Sequence, residues 1–144
     1  MIVNHLSAGV VTFYKDSFTG ELFFLLLKYP QGHIEFPKGH VDDDDKNLIH
    51  TALRELEEET GLKNARIVDG FYEEVNYQYY HNGDKHVKKV CFYLAEVFDK
   101  SVKISHEHTE FFWESYDSAL KKVSFDNSKS LLMAAKTLID LKNA

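Results

Sequence analysis

The feature that most constrains this chain is a helix-forming segment that ends in a cluster of glutamates. Residues 47–60 combine good helix formers with apolar side chains at helical spacing, and Gly61 follows as a left-handed terminator. Glu55, Glu58 and Glu59 share one face of the last turns. Carboxylates crowded there repel one another and face the negative end of the helix dipole, at a cost of about 2 kcal/mol. We therefore expect a cation over this face.

Ligand chemistry indicates which cation is expected. Three carboxylates from one helical face favour Mg²⁺, with Mn²⁺ as a substitute, because hard divalent ions prefer oxygen ligands. His106 and His108 offer imidazoles, but two histidines at this spacing without a cysteine partner make a poor zinc site. The carboxylates alone leave one alternative open, which is a charged surface helix that binds no metal.

The residues around the glutamates form a longer motif. Residues 54–62 read R-E-L-E-E-E-T-G-L, and Gly39 precedes Arg54 by fifteen positions. This resembles the Nudix box, G-x5-E-x7-R-E-U-x-E-E-x-G-U, in which U is a bulky aliphatic residue. The second half matches at every specified position. In the first half there is one extra residue, and Lys46 stands where the motif has glutamate, although Asp45 can substitute if the loop bulges.

The Nudix resemblance implies an α+β fold, a Nudix-type α/β/α sandwich with a mixed β-sheet between helices. We expect one domain over residues 1–144, with the box at about residues 39–62. The sequence pattern agrees, since 144 residues with 44% hydrophobic content can form a core of their own. The single cysteine, Cys91, excludes a disulfide framework and indicates a reducing compartment.

Hydrophobic patterning predicts strands interspersed with three helices. A strong Asn82-Gly83 turn signal joins two of the strands as a hairpin. Strands are expected at residues 3–14, 21–28, 34–36, 65–80, 85–98 and 109–114, and helices at 47–60, 115–122 and 128–142.

Charge and hydropathy exclude several functional classes. A net charge of −6 argues against general nucleic-acid binding, but it leaves a polyphosphate substrate open because bound metals invert the local sign. No stretch approaches the roughly eighteen apolar residues of a membrane span, and the N-terminus lacks the basic region of a secretory signal. We expect a cytoplasmic monomer that does not associate with membranes.

Three further stretches indicate a substrate class. Residues 36–41 read F-P-K-G-H-V, residues 105–108 read S-H-E-H before an aromatic strand, and the predicted hairpin carries Tyr77, Tyr79 and Tyr80. Together these look like the asymmetrical diadenosine tetraphosphate hydrolases, over most of the chain. That resemblance implies Mg²⁺-dependent hydrolysis of this small dinucleotide to ATP and AMP by attack of water on a phosphorus.

The Nudix box alone leaves other activities open. A 5′-RNA pyrophosphohydrolase or decapping-type enzyme would carry the same motif, and so would a diphosphoinositol polyphosphate phosphohydrolase. The last of these would need a broader basic pocket than this acidic chain indicates. A non-catalytic Nudix-fold binding module is disfavoured because such modules tend to lose the metal carboxylates, which are all retained here.

The resemblance also implies roles for individual residues. Glu55 is our first candidate for the general base and Glu58 the second, while Arg54 is expected to pair with a neighbouring carboxylate and orient it. The expected metal ligands are the Gly39 carbonyl, Glu55, Glu58, Glu59 and Glu107.

Substrate binding is expected to need cationic and aromatic groups. Lys38 offers a charge for phosphate beside a glycine that lets the backbone approach closely. An aromatic clamp of Tyr80 or Tyr79 with Phe125 would stack on a base, worth roughly 1–3 kcal/mol. The related enzymes usually have tyrosine at the second position, so Phe125 keeps the stacking surface and loses a hydroxyl. The remaining candidates are His33, Lys85 and Lys88.

Overall fold

The computed structural model describes residues 1–143. It contains eight strands and three helices within that range. In chain order these are β1 (Ile2–Lys15), β2 (Leu22–Lys28), β3 (Ile34–Glu35), β4 (Lys38–His40), α1 (Leu48–Thr60), β5 (Arg66–Ile67), β6 (Glu73–His81), β7 (Asp84–Val97), β8 (Glu110–Ser115), α2 (Tyr116–Lys122) and α3 (Asp126–Lys142).

The sheet is mixed, and its centre is a pair of long parallel strands. β1 and β7 run parallel, with a register that extends from Ile2–Lys85 to Tyr14–Val97. Every other pairing is antiparallel: β2 and β4 pair with β1, β3 and β8 pair with β2, and β5 and β6 pair with β7. The long central pair forms the frame on which the shorter strands are positioned.

Strand alternation divides the core into two layers, one on each face of the sheet. Val10 and its same-face neighbours pack against Ala52 and Leu56 of α1. Val11 faces the opposite way and belongs to the cluster that contains Ala119 of α2 and Leu132 of α3. Helices therefore cover both faces of a mixed sheet, which confirms the predicted α/β/α sandwich.

The local signals of the sequence are mostly reproduced. Asn47 caps α1 by accepting a hydrogen bond of 2.8 Å from the backbone N–H of His50. Gly61 ends this helix with a φ of 76°. Asn82 and Gly83, with φ values of 51° and 81°, form the predicted turn between β6 and β7. No helix within residues 1–143 has both the length and the apolar character that spanning a membrane requires.

Two predictions about strands were wrong. The expected strand at 65–80 is divided into β5 and β6, because the chain turns at Gly70 with a φ of 96°. No strand was expected at residues 38–40, where β4 pairs with β1 and places Gly39 opposite Ala8. The close approach at this pairing depends on Gly9, where a Cβ atom would stand 2.7 Å from the Lys38 Cβ.

Candidate functional site

The glutamates of α1 line a cleft beside β4. Ala52 and Leu56 are fully buried against the sheet, and this packing turns the adjacent helical face toward the strand that carries Gly39. The cleft has a volume of about 560 Å³. We call it the carboxylate cleft; it is lined by Tyr29, Lys38, Gly39, His40, Asp42, Arg54, Glu55, Glu58, Glu59, Ser105, His106, Glu107 and His108.

Arg54 organises the anionic groups at the mouth of the cleft. One guanidinium nitrogen, Nη1, lies 3.0 Å from an oxygen of Glu55 and 3.0 Å from an oxygen of Glu58. Nε and Nη2 bind the two oxygens of Asp45 at 2.9 and 3.0 Å, and Nη2 also donates to the His40 carbonyl. Arg54 therefore pairs with three neighbouring carboxylates, those of Asp45, Glu55 and Glu58.

Asp45, which the sequence offered as the substitute for the missing glutamate of the motif, supplies a carboxylate that binds Arg54. Its carboxylate accepts hydrogen bonds from Arg54, from the Thr51 hydroxyl at 2.8 Å and from the Asp42 backbone N–H at 2.8 Å. The Arg54 hydrogen bonds are the largest cause of a strongly lowered pKa at Asp45, and they raise the pKa of Arg54. The loop with its extra residue thus delivers a carboxylate to the arginine from one position earlier.

Glu59 is the most unusual group in the cleft. Only 2% of the residue is exposed, and its Oε2 accepts no hydrogen bond within residues 1–143. Burial and, after it, the negative charge of Glu55 raise its pKa from 4.5 to about 9, although the Lys38 backbone N–H and ammonium act in the opposite direction. Without a cation, Glu59 therefore keeps its proton at neutral pH.

The segment before β8 closes the other side of the cleft. The Lys103 and Ser105 backbone N–H groups donate to the carbonyls of Thr60 and Glu59, at 2.9 and 3.0 Å. These bonds satisfy the last turn of α1 and bring Glu107 into the cleft. Its charge contributes to the raised pKa values of Glu55 and Glu59, so Glu107 belongs to the same negative field.

His108 lies against Glu59 in the same wall. Its Nε2 is 3.8 Å from the Glu59 Oε2 and, like that oxygen, has no hydrogen-bond partner within the described range. Burial lowers the pKa of His108, while the charge of Glu107 acts in the opposite direction. Because the imidazole is kept neutral, it does not supply the positive charge that Glu59 lacks.

The residues of the cleft fit a hard divalent cation. The donors are oxygens, one of them is buried without a partner, and a Cβ at Gly39 would overlap the Glu55 carboxylate. In residues 1–143, no three His, Cys, Asp or Glu side chains already converge as ligands, and Arg54 instead pairs with Glu55 and Glu58. A cation over this face would therefore deprotonate Glu59 and compete with Arg54 for its two carboxylates.

A second cavity, whose surface is mainly apolar and includes several aromatic rings, adjoins the cleft and shares Tyr29 and Lys38 with it. It has a volume of about 650 Å³, and we call it the aromatic pocket. Tyr77 and Phe125 both line it. Its other lining residues are Gln31, His33, Glu35, Val75, Lys88, Val90, Phe92, Asp126, Asn127, Ser128 and Leu131.

Stacked rings and cations occupy the boundary between the two cavities. The rings of Tyr29 and His33 are stacked at 4.7 Å with an angle of 9°, and His33 lies 5.6 Å from Phe125. The Lys38 ammonium lies 5.2 Å from the Tyr29 ring centre and 2.8 Å from a Glu35 oxygen. The Lys88 ammonium is 5.8 Å from the ring centre of Tyr77, and burial lowers its pKa. Lys38 lines both cavities and Lys88 lines the aromatic pocket, so each can contact an anionic group there.

The aromatic pocket contains one tyrosine of β6, and it is not one of the two expected to form the aromatic clamp. Tyr77, and not Tyr79 or Tyr80, lies with Phe125 in the aromatic pocket. Tyr80 points to the opposite face of β6 and is 72% exposed, whereas Tyr79 faces the same way as Tyr77 but lies further along the strand. Lys85 likewise lies outside both cavities, on the other face of β7 from Lys88.

Sequence reasoning missed Tyr29 and Glu35 altogether. Tyr29 follows the buried strand β2 and donates from its hydroxyl to the Phe36 carbonyl at 2.8 Å. Its place in both cavities depends on the contact of its ring with His33, four residues later in the chain. The sequence offered only one signal for this contact, which is that Tyr29 and His33 are four residues apart on either side of a Pro-Gln-Gly segment.

Known proteins resemble this chain over most of its length. The NUDIX domain family matches residues 3–134. A bis(5′-nucleosyl)-tetraphosphatase (asymmetrical) of Rattus norvegicus is 38% identical over 115 residues, 76% of this chain and 75% of the relative. One of the same name in Caenorhabditis elegans is 30% identical over 129 residues, 88% and 90% of the two chains. The crystal structure of a C. elegans Ap4A hydrolase binary complex matches with a TM-score of 0.81 at 29% identity, covering 94% of this chain and 98% of that one. The similarity therefore extends well beyond the glutamate motif.

Proposed function

Since this chain belongs to the NUDIX domain family, we propose that it is a Mg²⁺-dependent hydrolase that cleaves diadenosine tetraphosphate asymmetrically into ATP and AMP. The observation that carries the proposal is the contact between the two cavities. A cleft of carboxylates adjoins a pocket with aromatic walls, and Tyr29 and Lys38 belong to both. A nucleoside in the aromatic pocket would therefore direct its phosphates into the carboxylate cleft. The names of the rat and C. elegans relatives support the same substrate.

Separate groups of residues would bind the metal, the phosphates and the base. The Gly39 carbonyl with Glu55, Glu58, Glu59 and Glu107 would hold the metal, which when bound supplies charge neutralisation and a water of lowered pKa. Lys38 and Lys88 would bind phosphate oxygens, and His33, Tyr77 and Phe125 would enclose one base.

The proton of the attacking water needs an acceptor in the cleft. We propose Glu55 as that base and Glu58 as the second candidate, because both carboxylates are held toward the cleft by Arg54. The water oxygen forms a bond to one phosphorus as the bridging oxygen on the far side leaves with the nucleotide product. Arg54 acts through its contacts with the two carboxylates and is a positioning residue.

Glu58→Gln tests the metal site, with Glu57→Gln as its matched control. Both changes remove one charge from the same helical turn, but Glu57 is exposed and lies outside the cleft. We expect Glu58→Gln to reduce turnover of diadenosine tetraphosphate at least about 100-fold, with the fold intact by circular dichroism, and Glu57→Gln to retain turnover. Near wild-type turnover in Glu58→Gln would contradict the assignment.

The products identify the reaction. Incubation of the wild-type protein with diadenosine tetraphosphate should give ATP and AMP only when Mg²⁺ or Mn²⁺ is present. Two molecules of ADP would exclude the asymmetric mode. Parallel incubations with capped RNA, 5′-triphosphorylated RNA and a diphosphoinositol polyphosphate test the alternative substrates, and faster turnover of any of these would replace our proposal.

Tyr77→Ala and Tyr80→Ala test which tyrosine binds the base. Tyr77 lines the aromatic pocket, whereas the sequence indicated Tyr80 or Tyr79. Loss of one stacking surface should raise the KM of Tyr77→Ala roughly 5- to 150-fold, since stacking is worth about 1–3 kcal/mol per base. A larger effect of Tyr80→Ala would show that the pocket is not the nucleoside site.

A further inference from the structure

A dinucleoside tetraphosphate has two bases, and the aromatic pocket accounts for one of them. The second nucleoside must leave the carboxylate cleft on a side other than the one occupied by Tyr29 and Lys38, because those residues form the boundary with the aromatic pocket. This inference about the second base rests on the proposed substrate. At the cleft residue His40, the sheet offers a second group of rings.

A layer of nearly parallel rings lies next to His40. We call His5, Tyr79 and His86 the imidazole layer. The rings of Tyr79 and His86 are 4.9 Å apart at an angle of 7°, and those of His5 and His86 are 5.1 Å apart at 15°. The His5 Nε2 and His86 Nδ1 atoms are only 2.8 Å apart, closer than two stacked ring faces can approach. The two imidazoles therefore meet edge to edge and form one nearly flat surface.

The imidazole layer and the aromatic pocket lie on the same face of the sheet. Tyr77 pairs with Lys88 across β6 and β7, and the next same-face pair along the strands is Tyr79 with His86. His5 lies opposite Lys88 in the parallel register of β1 and β7. The cation of Lys88 therefore stands between the rings of the pocket and the rings of the layer.

His40 connects the imidazole layer to the carboxylate cleft. It lines the cleft, and its ring lies 6.0 Å from that of His5 at an angle of 27°. Tyr79 is 42% exposed and His5 is half-buried, so the layer can be reached from solvent. The backbone ladder already joins β1 to β7 over this region, so the contact between His5 and His86 is not needed to hold the strands together.

We propose that the imidazole layer binds the second base of the dinucleotide. A purine would stack on the solvent-exposed face of Tyr79, whose other face lies over the nearly flat surface of His86 and His5. Lys88 and His40 lie along the path of the phosphates from the cleft. This stacking would accept any base, because every base presents a π-face to aromatic rings. The layer would therefore distinguish a dinucleoside polyphosphate from a mononucleoside polyphosphate more strongly than it distinguishes adenine from other bases.

Two non-hydrolysable ligands test this inference by calorimetry in the presence of Mg²⁺. One is a methylene-bridged analogue of diadenosine tetraphosphate and the other the corresponding analogue of adenosine 5′-tetraphosphate, which lacks the second nucleoside. We expect the wild-type protein to bind the dinucleotide analogue roughly 5- to 10-fold more tightly, as one exposed stacking contact provides. In Tyr79→Leu and His86→Leu, this preference should fall to about one, with little change in binding of the mononucleotide analogue.

Phe18→Leu is the matched control, because Phe18 is 97% exposed in the turn between β1 and β2 and should leave the preference unchanged. An unchanged preference in both Tyr79→Leu and His86→Leu would overturn the inference, as would an equal loss of binding for both ligands or a wild-type protein without preference. Turnover of diadenosine tetraphosphate by the wild-type protein separately tests the proposed function. Absent turnover with an intact, Tyr79-dependent preference would refute hydrolysis and leave the second base site standing.

Discussion

The buried carboxyl of Glu59 should make the stability of the metal-free protein depend on pH. Its pKa is about 9 in the folded protein, against an ordinary value of 4.5. Between these values the folded protein holds a proton that the unfolded chain releases. Stability is therefore lost as the pH rises through this window, by up to about 1.4 kcal/mol per pH unit.

The measurement is cleanest between about pH 7 and about pH 8.5. Below the ordinary pKa of 6.5, the neutral His108 has the opposite effect, because its lowered pKa makes stability rise with pH. Tyr29, whose pKa is raised well above 10, contributes only in more alkaline solution. Over the chosen window, Glu59 alone should lower the free energy of unfolding by up to about 2 kcal/mol.

Urea unfolding, followed by the fluorescence of the single tryptophan, Trp113, can measure this loss after EDTA treatment. Glu59→Gln should remove most of the pH dependence, since the amide does not titrate, whereas Glu57→Gln on the exposed face should retain it. Saturating Mg²⁺ should also flatten the wild-type curve, because a bound cation replaces the proton.

Two results would refute the reasoning. The first is an equal free energy of unfolding at both pH values for the metal-free wild-type protein. The second is an equal slope in the wild-type protein and in Glu59→Gln, which would assign the titration to another group. Glu55, whose pKa is also raised by burial, would be the first group to examine in that case.

Two further substitutions test the surroundings of the metal site. Gly39→Ala places a Cβ where the Glu55 carboxylate lies. The Mg²⁺ affinity measured by calorimetry and the turnover should therefore each fall at least about 10-fold. Unchanged values of both would show that Glu55 does not take part in metal binding or catalysis from this position. Asp45→Asn weakens the two hydrogen bonds with Arg54 and should reduce turnover about 10- to 100-fold. Asp44→Asn, at an exposed neighbouring position, should leave turnover unchanged. Equal turnover in the two variants would show that Arg54 does not need Asp45 to hold its position.

Local features of this fold could be predicted from the sequence because their causes are local. Asn47 begins α1 because its side chain caps the helix, and Gly61 ends it because glycine adopts a positive φ. Asn82 and Gly83 form their turn because both adopt a positive φ. The position of Tyr77 could not be derived similarly. β6 carries three tyrosines. Which of them lines the aromatic pocket depends on where the first residues of α3 lie relative to this strand.

The spacing of the glutamates indicates crowded negative charge but does not show how the fold relieves it. From the sequence we expected a cation over the last turns of α1 and a pairing of Arg54 with one neighbouring carboxylate. In the structure, Arg54 from the same helix already pairs with Glu55 and Glu58, and burial keeps a proton on Glu59. These responses depend on three-dimensional burial, which the spacing of residues in the sequence does not show.

The backbone bonds that join the segment before β8 to the end of α1 link two distant parts of the chain. The backbone N–H groups of Lys103 and Ser105 donate to the carbonyls of Thr60 and Glu59, and Glu107 lies two residues after Ser105. Fraying of that helical turn would release both carboxylates together, so they should lose and regain their order as one cooperative unit. Amide hydrogen exchange at Lys103 and Ser105 should consequently slow when Mg²⁺ binds in the carboxylate cleft, although neither residue belongs to the helix.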